Sequence, residues 1–362
     1  MTEHFNPVTL PANLRRDSIL QAKFRPEGYL DALDRETLWY DAFWDKGRVT
    51  VVGPPLNNLQ GAFRQAEIRL DGTPVKLWRM RRYRRHFVAQ FLAETAPEKI
   101  AVSLNGWTGE GKVAKAAPEL FRGLNVALYV NKNNDLAWLR DHAAWHKQEH
   151  GLQAVAVVDN MSSDYGPEEI AAALEPVGLD QVVVLQAPFK YGPMGLKPYR
   201  RTEKYMQTAL FNVMRLRFFG EARAVLSCDV DELILRRGDR GIFDAAQASR
   251  IGLVQVSGVW IYAAANSTGP WRHQDHRYTH QPPRTSPPKF CVVPAGPLGG
   301  CSWDIHGFER LPFLRSRVHK DFVFMHCRGV STAWKSPGRL TMPQDTVVHD
   351  EIAVAMERMP EN

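Results

Sequence analysis

The sequence predicts an α/β protein: a mainly parallel sheet with helices on both faces, plus a β-containing N-terminal region. Three observations carry that prediction. Between residues 125 and 235, apolar runs of strand length alternate with helix-patterned stretches, and such alternation implies parallel strands joined by crossover helices. Three of the four strands in that stretch end in polar clusters, Asn131–Asn134, Asp159–Asp164 and Asp229–Glu232. Ligands of open α/β sheets bind beyond the carboxyl ends of the strands. Finally, residues before about 120 lack the alternation and read as short strands and hairpins.

The first 45 residues form a polar lead-in with a short helix near Pro26–Tyr40, interrupted by Pro11, Pro26 and Gly28. Arg48–Gly53, Ala66–Leu70 and Lys99–Leu104 have strand patterning, and Asp71–Gly72 is a hairpin signal. Gly106–Val113 spells G-x4-G-K, but Val113 stands where a phosphate-binding loop needs Ser or Thr, and Pro118 comes too soon for the helix that should follow. A glycine-rich loop between strands is the better reading.

In the alternating stretch, Asn125–Val130 is a strand, and Asp135 caps a helix running to about His150, with Gly151 past its end. Leu136, Leu139 and Ala143 give that helix its apolar stripe. Ala154–Val158 is a continuous apolar run, as a buried parallel strand requires. Pro167, Glu168 and Glu169 open the next helix, with Pro at its first position and acids in its first turn. Gln181–Leu185 and Ala224–Cys228 are further strands, separated by a helix over Arg201–Phe219 with Met206, Leu210, Val213 and Met214 on one face. Beyond Leu235, Gly252–Tyr262 and Phe322–Met325 read as strands, residues 264–304 as loops with a mobile Gln281–Lys289, and Asp350–Met359 as a helix. The division expected is 1–120 as the β-rich region, 121–345 as the main domain and 346–362 as a C-terminal helix or tail.

At 362 residues with 44% hydrophobic and 23% charged content, the chain can bury a sizeable core and is far from a disordered composition. No apolar run approaches the roughly 18 residues needed to span a bilayer, and the N-terminus lacks the pattern of a signal peptide. The four cysteines, Cys228, Cys291, Cys301 and Cys327, show no CxxC spacing; reduced thiols in a cytoplasmic protein fit better than a disulfide framework. The net charge is +7, concentrated in Lys76–Arg85. A basic face suits nucleic acid, anionic headgroups or a phosphorylated substrate, and is also what a solvated strand edge looks like.

The chemistry centres on Asp229 and Asp231, closing an apolar strand at i, i+2 and followed by Glu232. In a strand those two side chains share a side. Hard divalent cations favour one or two carboxylates together with substrate phosphates. The competing reading is a polar turn. Transfer of a group away from a diphosphate requires neutralisation of the leaving diphosphate, deprotonation of an acceptor hydroxyl and in-line placement of both. A metal on Asp229 and Asp231 would supply the first. His326, after the last apolar strand, is the first choice for a third metal ligand, and His306 the second. Arg200, Arg201 and Lys204 precede the acidic strand and are candidates to meet a diphosphate. An inverting reaction requires a base; Asp304 and Glu232 are the candidates, and Glu232 also reads as a residue that orients a ligand. Trp303 and Trp334 could stack on sugar faces, or belong to the core.

Four segments in order, ALYVNKN, AWLRDHAAWHKQEHG, AVVDNMSSD and LSCDVDELIL, resemble nucleotide-sugar glycosyltransferases of the GT-A (Rossmann-like) fold, in the group related to glycosyltransferase families two and ninety-two. PPKFCVVP, WDIHGF and FMHCRGVSTAWK resemble that group's later Lys–Pro and His-containing segments. The resemblance spans roughly residues 123–340. Lys132 departs from it, since many relatives carry Glu there. It implies a UDP-sugar or other NDP-sugar donor and Mn²⁺ or Mg²⁺. It also implies that Asp159 reads the nucleotide base, that Asn131, Asn133, Asn160, Ser162 and Asp164 lie in the nucleotide-pocket loops, and that Asp229 and Asp231 form the D-x-D, with Asp231 the firmer metal ligand.

The expected activity is therefore metal-dependent, inverting hexosyl transfer to a glycan or lipid-linked acceptor, in synthesis of a surface polysaccharide. The expected location is the cytoplasm, or the inner face of the membrane through the basic surface. Two alternatives stand beside it: a non-catalytic protein binding nucleic acid or an anionic surface through Lys76–Arg85, and a nucleotidyl- or phosphotransferase on a similar sheet. Nothing outside the basic segment resembles a nucleic-acid module, so nucleic acid is not an expected partner.

Overall fold

The structure, a computed structural model, describes residues 1–200, 202–332 and 340–360. Its centre is a nine-stranded sheet. The strands, in chain order, are β1 (Thr2–His4), β2 (Asn125–Asn131), β3 (Ala154–Asp159), β4 (Gln181–Gln186), β5 (Ala224–Ser227), β6 (Glu232–Arg236), β7 (Leu253–Ile261), β8 (Thr285–Val292) and β9 (Val318–Cys327). Across the sheet they run β1-β4-β3-β2-β5-β8-β7-β9-β6. The stretch β1 to β5 is parallel throughout. Beyond it β8 is antiparallel to β5 and β7, β9 is parallel to β7, and β6 is antiparallel to β9.

Five helices matter for the site: α1 (Leu136–His150), α2 (Pro167–Leu174), α3 (Met206–Arg217), α4 (Ile242–Ala248) and α5 (Asp350–Met356). Side-chain alternation along β2 explains how they divide between the faces. Ala127 and Tyr129 pack with α1, α2, α4 and α5, through Leu139, Ile170, Phe243 and Ile352. Val126, Leu128 and Val130 pack with α3, through Met206, Leu210 and Met214, and with Tyr40, Phe43 and Val52 from the N-terminal region. Every residue of β2 and β3 is buried, which is why these strands read as unbroken apolar runs.

The local signals explain the helix ends. Asp135 accepts the Ala137 amide at 2.9 Å, and Gly151 ends α1 with φ of 70°. The Glu169 carboxylate accepts the Gly166 amide at 3.0 Å at the start of α2. α1 carries an unusual buried face, His142, His146 and His150. It lies against β6, the last strand of the sheet, whose outer edge has no strand partner among the described residues. Helix side chains supply that edge's hydrogen bonds: the Ile234 amide donates to His146 Nε2 at 3.2 Å, and Trp145 Nε1 and His150 Nε2 donate to the Ile234 carbonyl at 2.8 and 2.9 Å.

Residues 41–115 build two small, mainly antiparallel sheets of five and four strands around Trp39, Val51, Phe63, Phe91 and Val102. Asp71–Gly72 is the expected hairpin turn. The segment expected to be a glycine-rich loop is instead a strand, Trp107–Lys112, paired with Lys99–Leu104 through Asn105–Gly106. Both turn residues have positive φ, 48° and 78°, the geometry for which Asn-Gly is suited. A short 3₁₀ turn, Pro118–Phe121, precedes β2, not the long helix a phosphate loop opens.

Other expectations change as well. The lead-in is not merely polar: Thr2–His4 joins the edge of the main sheet beside β4. The helix near Pro26–Tyr40 shrinks to Tyr29–Ala32, and Thr37–Trp39 is a strand. The helix expected from Arg201 begins at Met206, and the C-terminal one ends at Met356. Much of the segment expected to be mobile, Gln281–Lys289, lies in β8 despite its prolines. A register shift in β7 between Val256 and Gly258 sits opposite Pro287 and Pro288, so the missing amide hydrogens break no regular ladder there.

Candidate functional site

The strand register places the three polar clusters on one edge. Asn131 of β2 pairs with Asp159 of β3, which pairs with Gln186 of β4. β5 ends at Ser227, opposite Leu128, and the chain then turns through 228–231 into β6. Asp229 and Asp231 are thus turn residues, not strand residues as expected, and the i, i+2 argument does not place them. The turn is fixed from several sides. Asp229 N donates to Glu232 Oε2 at 2.8 Å, Cys327 N donates to the Asp231 carbonyl at 2.7 Å, and His273 Nε2 donates to the Val230 carbonyl at 2.9 Å. His273 in turn meets Asp141, which Arg272 grips with two nitrogens.

Beside this turn lies an open cleft. Asp229, Asp231 and Glu232 form its acidic side. β9 sets His326 opposite Glu232 of β6 and Trp260 of β7. The His326 ring stacks on Trp260 with centroids 3.6 Å apart, and its Nε2 is 3.0 Å from Asp231 Oδ2. Its Nδ1 is 2.9 Å from Ser286 Oγ. Lys204, Tyr191 and Gln207 form a second wall, with the Lys204 ammonium 4.9 Å from the Tyr191 ring centroid. Arg85, Ile305 and His306 form a third.

Asp229 and Asp231 face the same cleft but have different partners. Asp229 Oδ2 is 2.5 Å from Lys289 Nζ, and the same ammonium is 2.9 Å from Glu232 Oε2. Burial alone would lower the Lys289 pKa, but Asp229 and Glu232 hold it above its ordinary value. Burial pushes the Glu232 carboxyl up, against the opposing pull of Lys289. Asp231, Glu232 and His326 bring ligating atoms within 4.8 Å of one another. A carboxylate–imidazole donor set fits a divalent first-row cation. Ser286 Oγ can accept a proton on His326 Nδ1, which would leave the Nε2 lone pair toward Asp231.

His306 is not in that group. Its Nδ1 is 3.1 Å from the Pro288 carbonyl. A second cluster of potential ligands, His142, His146 and Cys228, lies beneath the turn. Both His146 nitrogens are taken by backbone groups of His142 and Ile234, and burial pushes the Cys228 thiol well above its ordinary value. That cluster is core.

The two candidate bases are occupied. Asp304 is met by Arg84 at 3.0 Å, Arg85 at 3.3 Å and Arg315 at 2.8 Å, and accepts the Ile305 amide at 2.9 Å. Burial would raise its pKa, but Arg85, the Ile305 amide, Arg84 and Arg315 together hold it below the usual value. Glu232 is buried between Lys289 and the Asp229 amide. Trp303 is fully buried against Phe219 and Phe290, so it is core and not a sugar platform.

The nucleotide-loop candidates form a network of their own. Asp159, buried, accepts Asn131 Nδ2 at 2.7 Å, Ser162 Oγ at 2.6 Å and Ser162 N at 3.0 Å. Asn133 N donates to Ser162 Oγ at 2.8 Å, and Asn133 Nδ2 to Ser163 Oγ at 2.9 Å. Asn160 Nδ2 donates to the carbonyls of Ala187 and Phe189, both at 2.8 Å. This network ties the ends of β2, β3 and β4 together. Asp164 is exposed at its rim, and Arg200 is exposed on the loop before α3, away from the cleft lining. Arg201 and Trp334 lie outside the described residues.

Sequence reasoning missed Lys289, Trp260, Ser286 and Arg85 as parts of the site. Lys289 had a signal, as the lysine of PPKFCVVP and the lone cation leading an apolar run, but it was not named as a site residue. Trp260 and Ser286 had none, since only the order β8-β7-β9 brings them to His326.

No protein-family model matches the chain, and no curated protein does. Among solved structures it is similar to core-mannan synthase A (CmsA/Ktr4) from Aspergillus fumigatus in its Mn/GDP form, at 7% identity and a TM-score of 0.26, over 41% of this chain and 45% of that one. It is also similar to the mannosyltransferase Ktr4p from S. cerevisiae in complex with GDP, at 11% identity and a TM-score of 0.25, over 40% of this chain and 41% of that one. The chain thus spans less than half the length of either.

Proposed function

We propose that this chain is a metal-dependent glycosyltransferase of the GT-A type, moving a hexosyl group from an NDP-sugar to a glycan or lipid-linked acceptor with inversion. The observation that carries the reading is the cleft at the carboxyl edge of a parallel sheet, where Asp231 and His326 stand side by side next to Asp229, with Lys204 on another wall. Asp231 and His326 would hold Mn²⁺ or Mg²⁺, with Glu232 behind them. The bound ion would supply neutralising charge to a leaving diphosphate. Lys204 adds a fixed positive charge on the same cleft. Lys289 holds Asp229 and Glu232 in place and offsets part of their charge. The network of Asn131, Asp159, Asn160 and Ser162 would frame the donor pocket, and the half-buried Asn133 and exposed Asp164 would meet the nucleoside. Trp260, stacked on His326, offers a flat face to a sugar.

UDP is the first donor nucleotide to test, with GDP beside it. Among the described residues no helix is long and apolar enough to cross a membrane; the proposed setting is the cytoplasm, with the basic N-terminal strand able to face an anionic surface.

The test is release of nucleoside diphosphate from a panel of NDP-sugars with Mn²⁺, comparing the wild type with Asp231→Ala. Turnover in the wild type that falls at least a hundredfold in the variant, with weaker Mn²⁺ binding, supports the reading. Undiminished turnover in Asp231→Ala would overturn the metal assignment, and release of pyrophosphate would replace glycosyl transfer by nucleotidyl transfer.

A further inference from the structure

We infer that His306 is the base that deprotonates the acceptor hydroxyl, presented into the cleft by a hairpin that the N-terminal region holds in place. The inference rests on the glycosyltransferase reading and adds its missing group.

The tautomer is fixed by geometry. His306 Nδ1 lies 3.1 Å from the Pro288 carbonyl. A carbonyl only accepts, so Nδ1 carries the proton and Nε2 carries the lone pair. His306 lines the cleft. It occupies, with Ile305, the two-residue tip of a tight hairpin in which Trp303 pairs with Phe308 and Asp304 with Gly307. Asp304 anchors that tip, held by Arg84 and Arg85 from the N-terminal region and by Arg315. An aspartate gripped by three guanidinium groups is a poor proton acceptor, but it is a good anchor for the residue two places on.

The charged groups facing His306 are Lys289, Asp229 and Asp304. Burial, with Lys289 adding to it, pushes its pKa down to about 3, while Asp229 and Asp304 pull the other way. The imidazole is therefore neutral in the free protein at any ordinary pH. A neutral imidazole whose Nε2 lone pair faces an acceptor hydroxyl can take that proton as the bond to the anomeric carbon forms.

The step balances without a further reagent. The acceptor O–H proton passes to His306 Nε2, and the oxygen lone pair forms the bond to the anomeric carbon. The bond from that carbon to the diphosphate oxygen breaks, its electron pair leaving with the diphosphate. The imidazolium returns its proton to solvent. Attack opposite the leaving group inverts the configuration.

His306→Asn retains a side-chain N–H for the Pro288 carbonyl but has no base, and His306→Ala leaves room for added imidazole. Three quantities are measured: transfer rate, donor affinity by titration with Mn²⁺, and product configuration by NMR. The expected result is inversion by the wild type and a loss of transfer of about 10²- to 10⁴-fold in His306→Asn. Donor affinity should stay within about threefold, and imidazole should partly restore His306→Ala. Transfer by His306→Asn within about tenfold of wild type, or a product of retained configuration, would overturn the role of His306 and leave the transferase reading standing. A wild type that releases no nucleoside diphosphate from any donor would overturn both.

Discussion

Lys289 is the cation on which the acidic turn depends, and replacing it with Met tests that dependence. Met has nearly the same volume, so the change removes charge without opening a cavity. The Lys289 side chain is 2% exposed, and its ammonium sits 2.5 Å from Asp229 and 2.9 Å from Glu232. Removing one partner of a buried ion pair strands the other charge, at a cost of about 3–5 kcal/mol. That is a large part of the roughly 5–15 kcal/mol that folded domains have. The pH dependence has a definite sign. Burial already pushes Glu232 up, and loss of Lys289 removes the pull that opposes it. A carboxyl whose folded pKa exceeds its unfolded value loses stability as pH rises between the two. Lys289→Met should therefore be more destabilised at pH 8 than at pH 5. Adding Glu232→Gln should recover part of the loss, because the stranded charge is then gone. Urea unfolding followed by tryptophan fluorescence reads all three. A loss below about 1 kcal/mol that is the same at both pH values, or a double variant weaker than Lys289→Met, would refute the reasoning.

Three further outcomes are expected. Burial alone would raise the Asp141 pKa, but His273 and Arg272 hold it down at about 2; its stabilising contribution is thus present above about pH 4 and lost as pH falls toward 2. Asp141→Asn should flatten acid unfolding over that window by at most about 2 kcal/mol, less to the extent that water screens the partly exposed Arg272. Trp303→Ala should cost about 3–5 kcal/mol as a core truncation, whereas Trp260→Ala should cost less stability and weaken donor binding, which a urea midpoint and a donor titration separate. Asn160→Ala removes the side-chain donor shared by the Ala187 and Phe189 carbonyls, leaving Ala187 only the Phe189 amide, and should lower stability by about 2 kcal/mol in the same unfolding assay.

The parallel half of the sheet was legible because burial on both faces leaves a simple trace: continuous apolar runs in β2 and β3, bounded by Asp135, Gly151 and Pro167. The polar strand ends were legible for the same reason, since register in a parallel sheet brings them level. The antiparallel half was not. β8 contains Pro287 and Pro288, and nothing local shows that a register shift in β7 accommodates them. The site suffered accordingly. Asp231 and His326 were named from the sequence, but their neighbours Trp260, Ser286 and Lys289 come from strands whose order only the fold reveals. Asp304 and Glu232 were named for their chemistry, and a sequence does not record how many cations a carboxylate already faces.

The basic run Lys76–Arg85 shows how one composition signal divides into two physical roles. Leu77–Arg82 is the edge strand of the five-stranded N-terminal sheet, and Arg79, Arg81 and Arg82 are exposed along it. Charge on an open edge opposes addition of another strand, a reason for arginine that needs no ligand. After the bend that follows, Arg84 and Arg85 leave the edge and meet Asp304 beneath the His306 hairpin. A nucleic-acid surface would need these guanidinium groups free to track phosphates. Here two of them hold a hairpin beside the cleft, so, if the proposed transfer is the activity, reversing their charge should disturb it before it disturbs any long-range attraction. The positive field of Arg79, Arg81 and Arg82 remains on that open edge, where it attracts any anionic partner without selecting one.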